Sequence, residues 1–132
     1  MAKNVVVLHA QSNLAEAYGK MKQFNIRHLP VVDHEGRLLG MFSENDLNRA
    51  YPPRGTDFGG YYAKEELELI AVLPYMQADP DYLTPEGSLR DAALLLARQK
   101  IGAIPVVERS NRKLVGIVSS VDCLKQIAYL ID

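Results

Sequence analysis

The chain is poor in the residues that would point to a secreted, membrane-bound or nucleic-acid-binding protein. It has one cysteine, Cys123, so an internal disulfide is excluded and a reducing, cytoplasmic location is expected. The formal net charge is −1 at pH 7, so the basic excess of a general nucleic-acid binder is absent. No apolar run approaches the roughly 18 residues of a membrane helix. We therefore expect neither a nucleic-acid nor a membrane partner.

Motifs of the common enzyme classes are also missing. The sequence has no P-loop, GxGxxG, HExxH, CxxC or GxSxG pattern. The three histidines, His9, His28 and His34, are scattered and lack the local spacing of metal ligands. The sequence therefore predicts no enzyme, no metal site and no covalently bound cofactor.

An internal repeat is the main positive feature of the sequence. Ile26–Asp33 recurs 75 positions later as Ile101–Glu108, and Leu38–Leu47 recurs 76 positions later as Leu114–Cys123. The turn between the two matches has gained one residue, which costs least in a loop. A preceding apolar helix face recurs as well, with Leu14, Ala17, Tyr18 and Met21 matched by Leu89, Ala92, Ala93 and Leu96. The chain therefore reads as two tandem copies of one unit.

Each copy is predicted to run strand, helix, strand, strand, helix. Asn13 with Glu16 and Ser88 with Asp91 are expected to cap the first helices. The elements expected in copy one are 5–8, 13–24, 28–33, 38–43 and 44–50, and those in copy two are 82–84, 88–100, 103–108, 114–119 and 120–130. The predicted fold class is α+β, with two tandem β-α-β-β-α repeats packed sheet to sheet with pseudo-twofold symmetry.

The domain boundaries follow from the repeat. Residues 1–50 form the first copy, which is N-terminally short, and residues 76–132 form the second. Residues 51–75 comprise a linker at 51–61, rich in proline and glycine, and a lead-in helix over 64–73. A copy of about 50 residues is marginal alone, so the copies should pack together. Ligands are then expected in the clefts between them.

The doubled pattern Ile-x-x-h-Pro-Val-Val, turn, Gly-h-h-Ser-x-x-Asp, in which h is apolar, resembles the cystathionine-β-synthase-type (CBS) domain. A tandem pair of these domains is called a Bateman module. The resemblance implies a regulatory module that binds AMP, ADP or ATP and controls a partner protein or domain. S-adenosylmethionine, NAD or another adenosyl compound is the alternative ligand. The resemblance also implies a homodimer of CBS pairs.

Two Ser-x-x-Asp sequences, Ser43 to Asp46 and Ser119 to Asp122, are the main candidate sites. Each ends a predicted strand and opens a helix, where a carboxylate can accept hydrogen bonds from both hydroxyls of a ribose. The serine hydroxyl and the free helix N–H groups suit phosphate oxygens. The same sequence is also an ordinary capping box. The residues alone leave both roles open, whereas the resemblance favours ligand binding.

The remaining candidate residues rest on the resemblance. Arg27, His28 and Ala103 match positions beside the family's phosphates. The first strands match those that hold the adenine edge, so Asp122 should act with 5–9, including Val5 and His9, and Asp46 with Tyr82, Leu83 and Thr84. Ile117 and Met41 either pack on the base or belong to the core.

Other readings of these residues remain open. The pair is alternatively a ligand-free dimerisation or interaction module in which Ser-x-x-Asp only caps helices. Asp, Ser, Arg and His can also be assembled into a hydrolytic site, although no spacing requires one. Arg37, Arg112 and Lys113 are expected to be solvated turn residues.

Overall fold

A computed structural model describes residues 5–52, 63–99 and 102–130. The chain divides into two compact units. The first-copy unit contains residues 6–34 and 39–80, and the second-copy unit contains residues 1–5, 35–38 and 81–132. Most of the predicted linker 51–61 lies outside the described residues. The predicted α+β class and the tandem repeat are both confirmed.

The first-copy unit is built around a four-stranded sheet. Its elements are β1 (Leu8–His9), α1 (Leu14–Phe24), β2 (His28–Val32), β3 (Leu38–Ser43), α2 (Glu44–Ala50), α3 (Lys64–Leu67), a 3-10 turn (Leu73–Tyr75) and β4 (Gln77–Ala78). The strand order is β1-β2-β3-β4. Strand β1 is parallel to β2, with Leu8 opposite Val31, whereas β3 and β4 are antiparallel, with Met41 opposite Gln77.

The second-copy unit repeats the same plan in reduced form. Its elements are α4 (Leu89–Gln99), β5 (Ala103–Val107), β6 (Leu114–Ser119) and α5 (Ser120–Leu130). Strands β5 and β6 are antiparallel, with Ile104 opposite Val118. Asn13 caps α1 through Oδ1, and Ser88 and Asp91 bond reciprocally at the start of α4, as the capping pairs predicted.

The predicted first strands are wrong in extent. The strand expected over 5–8 is instead Leu8–His9, because only these residues align with the end of β2. The strand expected over 82–84 shrinks to one parallel bridge between Leu83 and Val106. There the Leu83 N–H donates to Pro105 and its carbonyl accepts from Val107. The strands predicted over 28–33 and 103–108 each end one residue earlier.

The predicted lead-in helix over 64–73 is also wrong in extent. Helix α3 ends at Leu67, and a 3-10 turn begins at Leu73. Between them, the Ile70 carbonyl accepts from Leu14 N–H at 2.9 Å and the Val72 N–H donates to the Ser12 carbonyl at 3.0 Å. These backbone groups are therefore paired with the start of α1, which prevents them from continuing the helix. Strand β4 was not predicted at all.

Each unit has its own apolar core. The core of the first-copy unit contains Leu8, Leu14, Ala17, Met21, Leu29, Val31, Phe42, Leu47, Leu67 and Val72. The core of the second-copy unit is smaller and contains Ala92, Leu96, Ile104 and Cys123. Among the described residues, no helix has the length and apolarity to cross a bilayer.

Candidate functional site

The first Ser-x-x-Asp sequence forms a complete capping box at the start of α2. The Ser43 N–H donates to Asp46 Oδ2 at 2.8 Å, and the Asp46 N–H donates to Ser43 Oγ at 3.2 Å. Ser43 adopts an extended backbone, as an N-cap residue does. The box fixes the Asp46 carboxylate at the end of β3, where α2 begins.

Arg49 occupies the other oxygen of Asp46. Its Nη2 donates to Asp46 Oδ1 at 2.9 Å and to the Tyr75 carbonyl at 2.9 Å. Asp46 therefore has both carboxylate oxygens engaged, and its side chain is only 17% exposed. A ribose hydroxyl would have to displace Arg49 to reach Oδ1. Arg49 was not among the residues predicted from the sequence, although an opposite charge three residues away on a helix is a recognisable signal.

The second Ser-x-x-Asp sequence forms the same box at the start of α5. The Ser119 N–H donates to Asp122 Oδ2 at 3.0 Å, and the Asp122 N–H donates to Ser119 Oγ at 3.0 Å. Within the described chain, no residue bonds to Asp122 Oδ1. Lys125, which occupies the position of Arg49 in the repeat, makes no such contact. Asp122 is half-buried, so Oδ1 remains a fixed acceptor for an incoming hydroxyl.

Arg27 and His28 lie beside the first box. The Arg27 carbonyl accepts from the Glu44 N–H at 2.9 Å, which ties the start of β2 to the start of α2. Arg27 is exposed and His28 is half-buried. Burial lowers the pKa of His28 below its ordinary value of 6.5, opposed by the charge of Asp46, and Arg27 lowers it further. The predicted residues Ser43, Asp46, Arg27 and His28 are thus brought together.

The second copy lacks these basic groups, as its sequence indicates. The Gly102 carbonyl accepts from the Ser120 N–H at 2.9 Å, which repeats the Arg27 contact. Ala103 is buried at the start of β5, and Ile117 is half-buried on β6. Met41 is buried on β3 of the other unit. Ala103 and Met41 are therefore both buried hydrophobic residues.

Tyr82 has a partner that was not anticipated. The Arg112 guanidinium lies over the Tyr82 ring, 5.5 Å from its centroid, in a cation–π contact. Arg112 is half-buried, so its predicted role as a solvated turn residue is wrong. Its backbone φ of 62° is left-handed, as is that of its counterpart Gly36, whose φ is 81°. Arg37 and Lys113 are exposed, as predicted.

A cavity of about 370 Å³ in the second-copy unit brings Leu83, Thr84 and Asp122 together. It lies between the segment 83–89, helix α4 and helix α5. Its lining residues are Leu83, Thr84, Pro85, Gly87, Ser88, Leu89, Ala92, Val106, Val118, Asp122, Cys123, Lys125, Gln126 and Tyr129. Cys123 is buried, and burial raises the pKa of its thiol. Thr84 and Asp122 thus share a cavity within one copy.

Val5 and His9, both predicted to act with Asp122, lie in different units. Val5 falls in the second-copy unit with Asp122, whereas His9 is an exposed residue of β1 in the first-copy unit. The predicted pairings of Asp122 with residues 6–9 and of Asp46 with 82–84 join different units and stay predictions. In the described part of the chain, no cluster of three or more His, Cys, Asp or Glu residues is arranged to hold a metal ion.

Comparison with known proteins identifies the repeat. The CBS domain family model matches residues 1–53 and 70–129. A CBS domain-containing protein of Dictyostelium discoideum is 26% identical over 132 residues, covering 100% of this chain and 90% of its own length. The CBS domain-containing protein YhcV of Bacillus subtilis is 32% identical, covering 90% of this chain and 76% of its own length.

Some relatives are much longer. An uncharacterised protein of Methanocaldococcus jannaschii, MJ1404, is 31% identical over 98% of this chain, but the match spans only 31% of that protein. The match to inosine-5'-monophosphate dehydrogenase of Aquifex aeolicus is 27% identical over 98% of this chain and spans 24% of that enzyme. The region shared with these long proteins is thus a minor part of each.

Solved structures show the same fold. A putative acetoin utilization protein of Vibrio cholerae superposes with a TM-score of 0.80 at 27% identity, covering 99% of this chain and 88% of its own. The CBS domain pair of protein MJ0100, in complex with 5'-methylthioadenosine and S-adenosyl-L-methionine, superposes with a TM-score of 0.79 at 22% identity, covering 98% and 93%. CBSX2 in complex with AMP superposes with a TM-score of 0.79 at 23% identity, covering 98% of this chain and 91% of its own. The repeat, the fold and the family match agree, and the chain belongs to the CBS domain family as a tandem pair of CBS domains.

Proposed function

We propose that this CBS pair is a regulatory module that binds an adenine nucleotide, with Asp122 as the acceptor for the ribose hydroxyls. The observation that carries the proposal is the open oxygen of Asp122. Its Oδ2 is held by the Ser119 N–H, so the carboxylate is fixed, while Oδ1 has no partner among the described residues. A preoriented acceptor binds without the entropy cost of ordering a mobile side chain.

The surroundings of Asp122 suit a nucleotide. A carboxylate accepts charge-assisted hydrogen bonds from neighbouring hydroxyls, which are stronger than bonds between neutral groups. The adjoining cavity of about 370 Å³ supplies Leu83 and Val118 as apolar surface and Thr84 as a polar group. Proteins of the same fold were solved with AMP and with S-adenosyl-L-methionine. These complexes support an adenosyl ligand, and among such ligands AMP, ADP or ATP is our choice.

The two acids are unequal in this proposal. Arg49 holds Asp46 Oδ1, whereas in the part of the chain that the structure describes Lys125 makes no bond to Asp122 Oδ1. The site at Asp122 is therefore the primary one. Arg27 and His28 beside Asp46 provide a cationic and a half-buried polar group, so a ligand there would bring its own anion to draw Arg49 away.

The proposed role is control of a partner rather than catalysis. A ligand shifts a conformational equilibrium only by its difference in affinity for the two states, and that difference would carry the signal to a regulated protein or domain in the cytoplasm. Several relatives contain the matched region as a minor part of a longer chain, which is typical of a module that serves another domain.

We also propose that the pair forms a homodimer through the outer faces of α4 and α5. Leu94, Val121 and Leu124 are 48%, 56% and 64% exposed there. Their counterparts in the first copy are Gly19, Asn45 and Asn48, which are small or polar. Exposed apolar side chains that replace polar ones at equivalent positions indicate an interface. Leu124→Asp should convert a dimer to a monomer in light scattering.

A thermal-shift panel tests the nucleotide proposal. The full chain is heated with AMP, ADP, ATP, NAD or S-adenosylmethionine at several concentrations. A ligand at 100 times its dissociation constant adds about 2.7 kcal/mol of stability. We expect at least one adenine nucleotide to raise Tm in a concentration-dependent manner, and Asp122→Ala to abolish that rise.

Asp91→Ala is the matched control for this test. Asp91 completes the same kind of capping box at α4, with its N–H bonded to Ser88 Oγ at 3.0 Å. Both substitutions remove a helix cap, but only one removes the proposed ribose acceptor. A ligand-induced rise that survives Asp122→Ala, or no rise with any ligand, refutes the site and favours a ligand-free interaction module.

A further inference from the structure

Arg112 is a non-glycine residue in a left-handed backbone conformation, with a φ of 62°. Its counterpart in the first copy is Gly36, whose φ is 81°, a conformation that glycine adopts without steric cost. An arginine seldom occupies this region, because its Cβ crowds the following carbonyl oxygen. The second copy therefore has an arginine where the first copy has the residue that suits the backbone.

Backbone hydrogen bonds hold Arg112 in this conformation. Its N–H donates to the Glu108 carbonyl at 2.9 Å, and its carbonyl accepts from the Leu38 N–H at 3.0 Å. In the same way, the Leu114 N–H donates to the Gly36 carbonyl at 2.9 Å, so two turns of the second-copy unit, one from each repeat, bond each other reciprocally. An unfavourable backbone conformation persists only where its surroundings enforce it, and such residues cluster at functional sites.

The Arg112 side chain contacts Tyr82, which directly precedes two residues of the proposed nucleotide cavity. The guanidinium lies 5.5 Å from the centroid of the Tyr82 ring, within the range of a cation–π contact. Tyr82 is 42% exposed, so the half-buried Arg112 supplies part of the cover that its ring has. The next residues along the chain, Leu83 and Thr84, line the cavity that also contains Asp122.

The segment after Tyr82 has little regular structure to hold it. The Leu83 N–H donates to the Pro105 carbonyl at 3.0 Å, and the Leu83 carbonyl accepts from the Val107 N–H at 2.8 Å. These bonds form an isolated bridge rather than a continuous strand. A segment fixed by one bridge depends on side-chain contacts for its position, and the stacking of Arg112 on Tyr82 is such a contact.

We infer that Arg112 is a positioning residue of the nucleotide site, an assignment that rests on the proposed function. The guanidinium holds Tyr82, and Tyr82 in turn holds Leu83 and Thr84 where the ligand meets them. This role accounts for an arginine at a left-handed position, because the side chain stabilises the binding-competent segment at a cost to the backbone. An arginine that served only the fold would lose stability on replacement, whereas a positioning arginine loses affinity.

Arg112→Gly is the main variant, because glycine suits the left-handed backbone while the side chain is removed. AMP binding by the full chain is measured by isothermal titration calorimetry, and Tm is measured without ligand. We expect Arg112→Gly to keep or raise Tm and to weaken AMP binding by about tenfold, which corresponds to 1.4 kcal/mol. Arg112→Lys, which keeps a cation for the ring, should weaken binding less. Lys113→Ala is the matched control, since it removes the same charge from an exposed position of the same turn and should leave affinity unchanged.

Two substitutions of Tyr82 test the contact from its other side. Tyr82→Phe keeps a ring beneath the guanidinium and should bind AMP as the unmodified chain does. Tyr82→Leu should weaken binding as much as Arg112→Gly. Because both act through one contact, the double variant should lose no more affinity than either single one. Additive losses, or a lower Tm in Arg112→Gly with unchanged affinity, overturn the inference.

Hydrogen exchange without ligand separates failure of this inference from failure of the proposed function. The amides of Leu83 and Val107 are bonded in the bridge, so Arg112→Gly should speed their exchange by about tenfold or more. The Ala92 N–H, bonded to the Ser88 carbonyl at 3.1 Å, should not respond. Faster exchange in a protein whose unmodified form binds no AMP overturns the proposed function and supports the contact. Unchanged exchange overturns the inference even where the unmodified chain binds AMP.

Discussion

Arg49 and Asp46 form an ion pair that has no counterpart in the described part of the second copy. The Arg49 guanidinium is 2.9 Å from Asp46 Oδ1 and also reaches the Tyr75 carbonyl, so it links α2 to the 3-10 turn. Lys125, at the equivalent position, leaves Asp122 Oδ1 without such a partner in the described part of the chain. One residue difference in an otherwise matched pair of boxes thus separates a closed acid from an open one.

Arg49→Ala should open the first acid. Arg49 is 64% exposed, and an exposed ion pair contributes little, so the variant should lose no more than about 1 kcal/mol of unfolding free energy. Removing the guanidinium frees Asp46 Oδ1 for a ribose hydroxyl. Isothermal titration calorimetry should then show more AMP bound per chain than in the unmodified protein. Lys125→Ala is the control and should leave the AMP count unchanged; an unchanged count in Arg49→Ala as well would contradict the role given to the open oxygen.

Removal of the serine caps should destabilise each copy. Ser43 Oγ and Ser119 Oγ each accept the N–H of the aspartate three residues later, at 3.2 and 3.0 Å. Loss of an N-cap hydroxyl costs about 1 kcal/mol. Urea denaturation of Ser43→Ala and Ser119→Ala should show this loss. Ser110→Ala, in an exposed turn, should change stability by less than about 0.5 kcal/mol.

Two glycines should respond to alanine in opposite directions. A Cβ at Gly40 would lie 2.5 Å from the Gln77 carbonyl oxygen, so Gly40→Ala must displace β4 and should cost about 1 to 3 kcal/mol. Gly19 lies in α1 with nothing within 4 Å of a Cβ. Gly19→Ala should therefore stabilise by about 0.5 to 1 kcal/mol, because glycine is a poor helix former. Thermal unfolding measures both, and equal effects would refute the packing at β4.

The stability of the protein should fall as the pH falls below about 6.5, in part because of His28. Burial lowers the pKa of His28 in the folded state, whereas Asp46 and Glu44 partly oppose the shift and Arg27 adds to it. Below the ordinary value of 6.5 the unfolded chain binds a proton that the folded chain does not, so protonation favours unfolding. Stability from this group is present above that pH and lost as the pH falls toward the folded pKa.

His28→Gln should therefore reduce the loss of stability between pH 7.5 and pH 5.5, as measured by urea denaturation at about these two values. His34→Gln is the control, because His34 is exposed in the turn after β2. If His28→Gln retains the full pH dependence of the unmodified chain, its burial in the folded state does not contribute.

Much of the fold could be predicted because the same pattern of apolar residues and helix caps occurs twice in the sequence. The bounds of β3, α2, β6 and α5 match those expected from the sequence, since each pairs a clear apolar pattern with a serine cap. The lead-in segment could not be predicted in the same way. Its apolar residues favour a continuous helix locally, but Ile70 and Val72 bond to the start of α1, a contact that sequence periodicity does not contain.

The capping boxes of the candidate site could also be predicted, whereas the further contacts of their acids could not. The two capping boxes follow from residue types three positions apart, and the structure contains both. The sequence does not show whether the side chain three residues after each acid bonds to that acid. The Arg49 guanidinium bonds Asp46 and also the Tyr75 carbonyl.

The sequence by itself determined the two copies, their order of strands and helices, and the position of an acid at the start of each final helix. These properties are local, since they depend on apolar spacing and on caps formed by residues three apart. Only the tertiary structure decided that Arg49 bonds both Asp46 and the Tyr75 carbonyl, and that Leu67 and Val72 join the core of the first copy. The contacts of Tyr75, Leu67 and Val72 with the first copy join residues distant in sequence, which apolar spacing does not report.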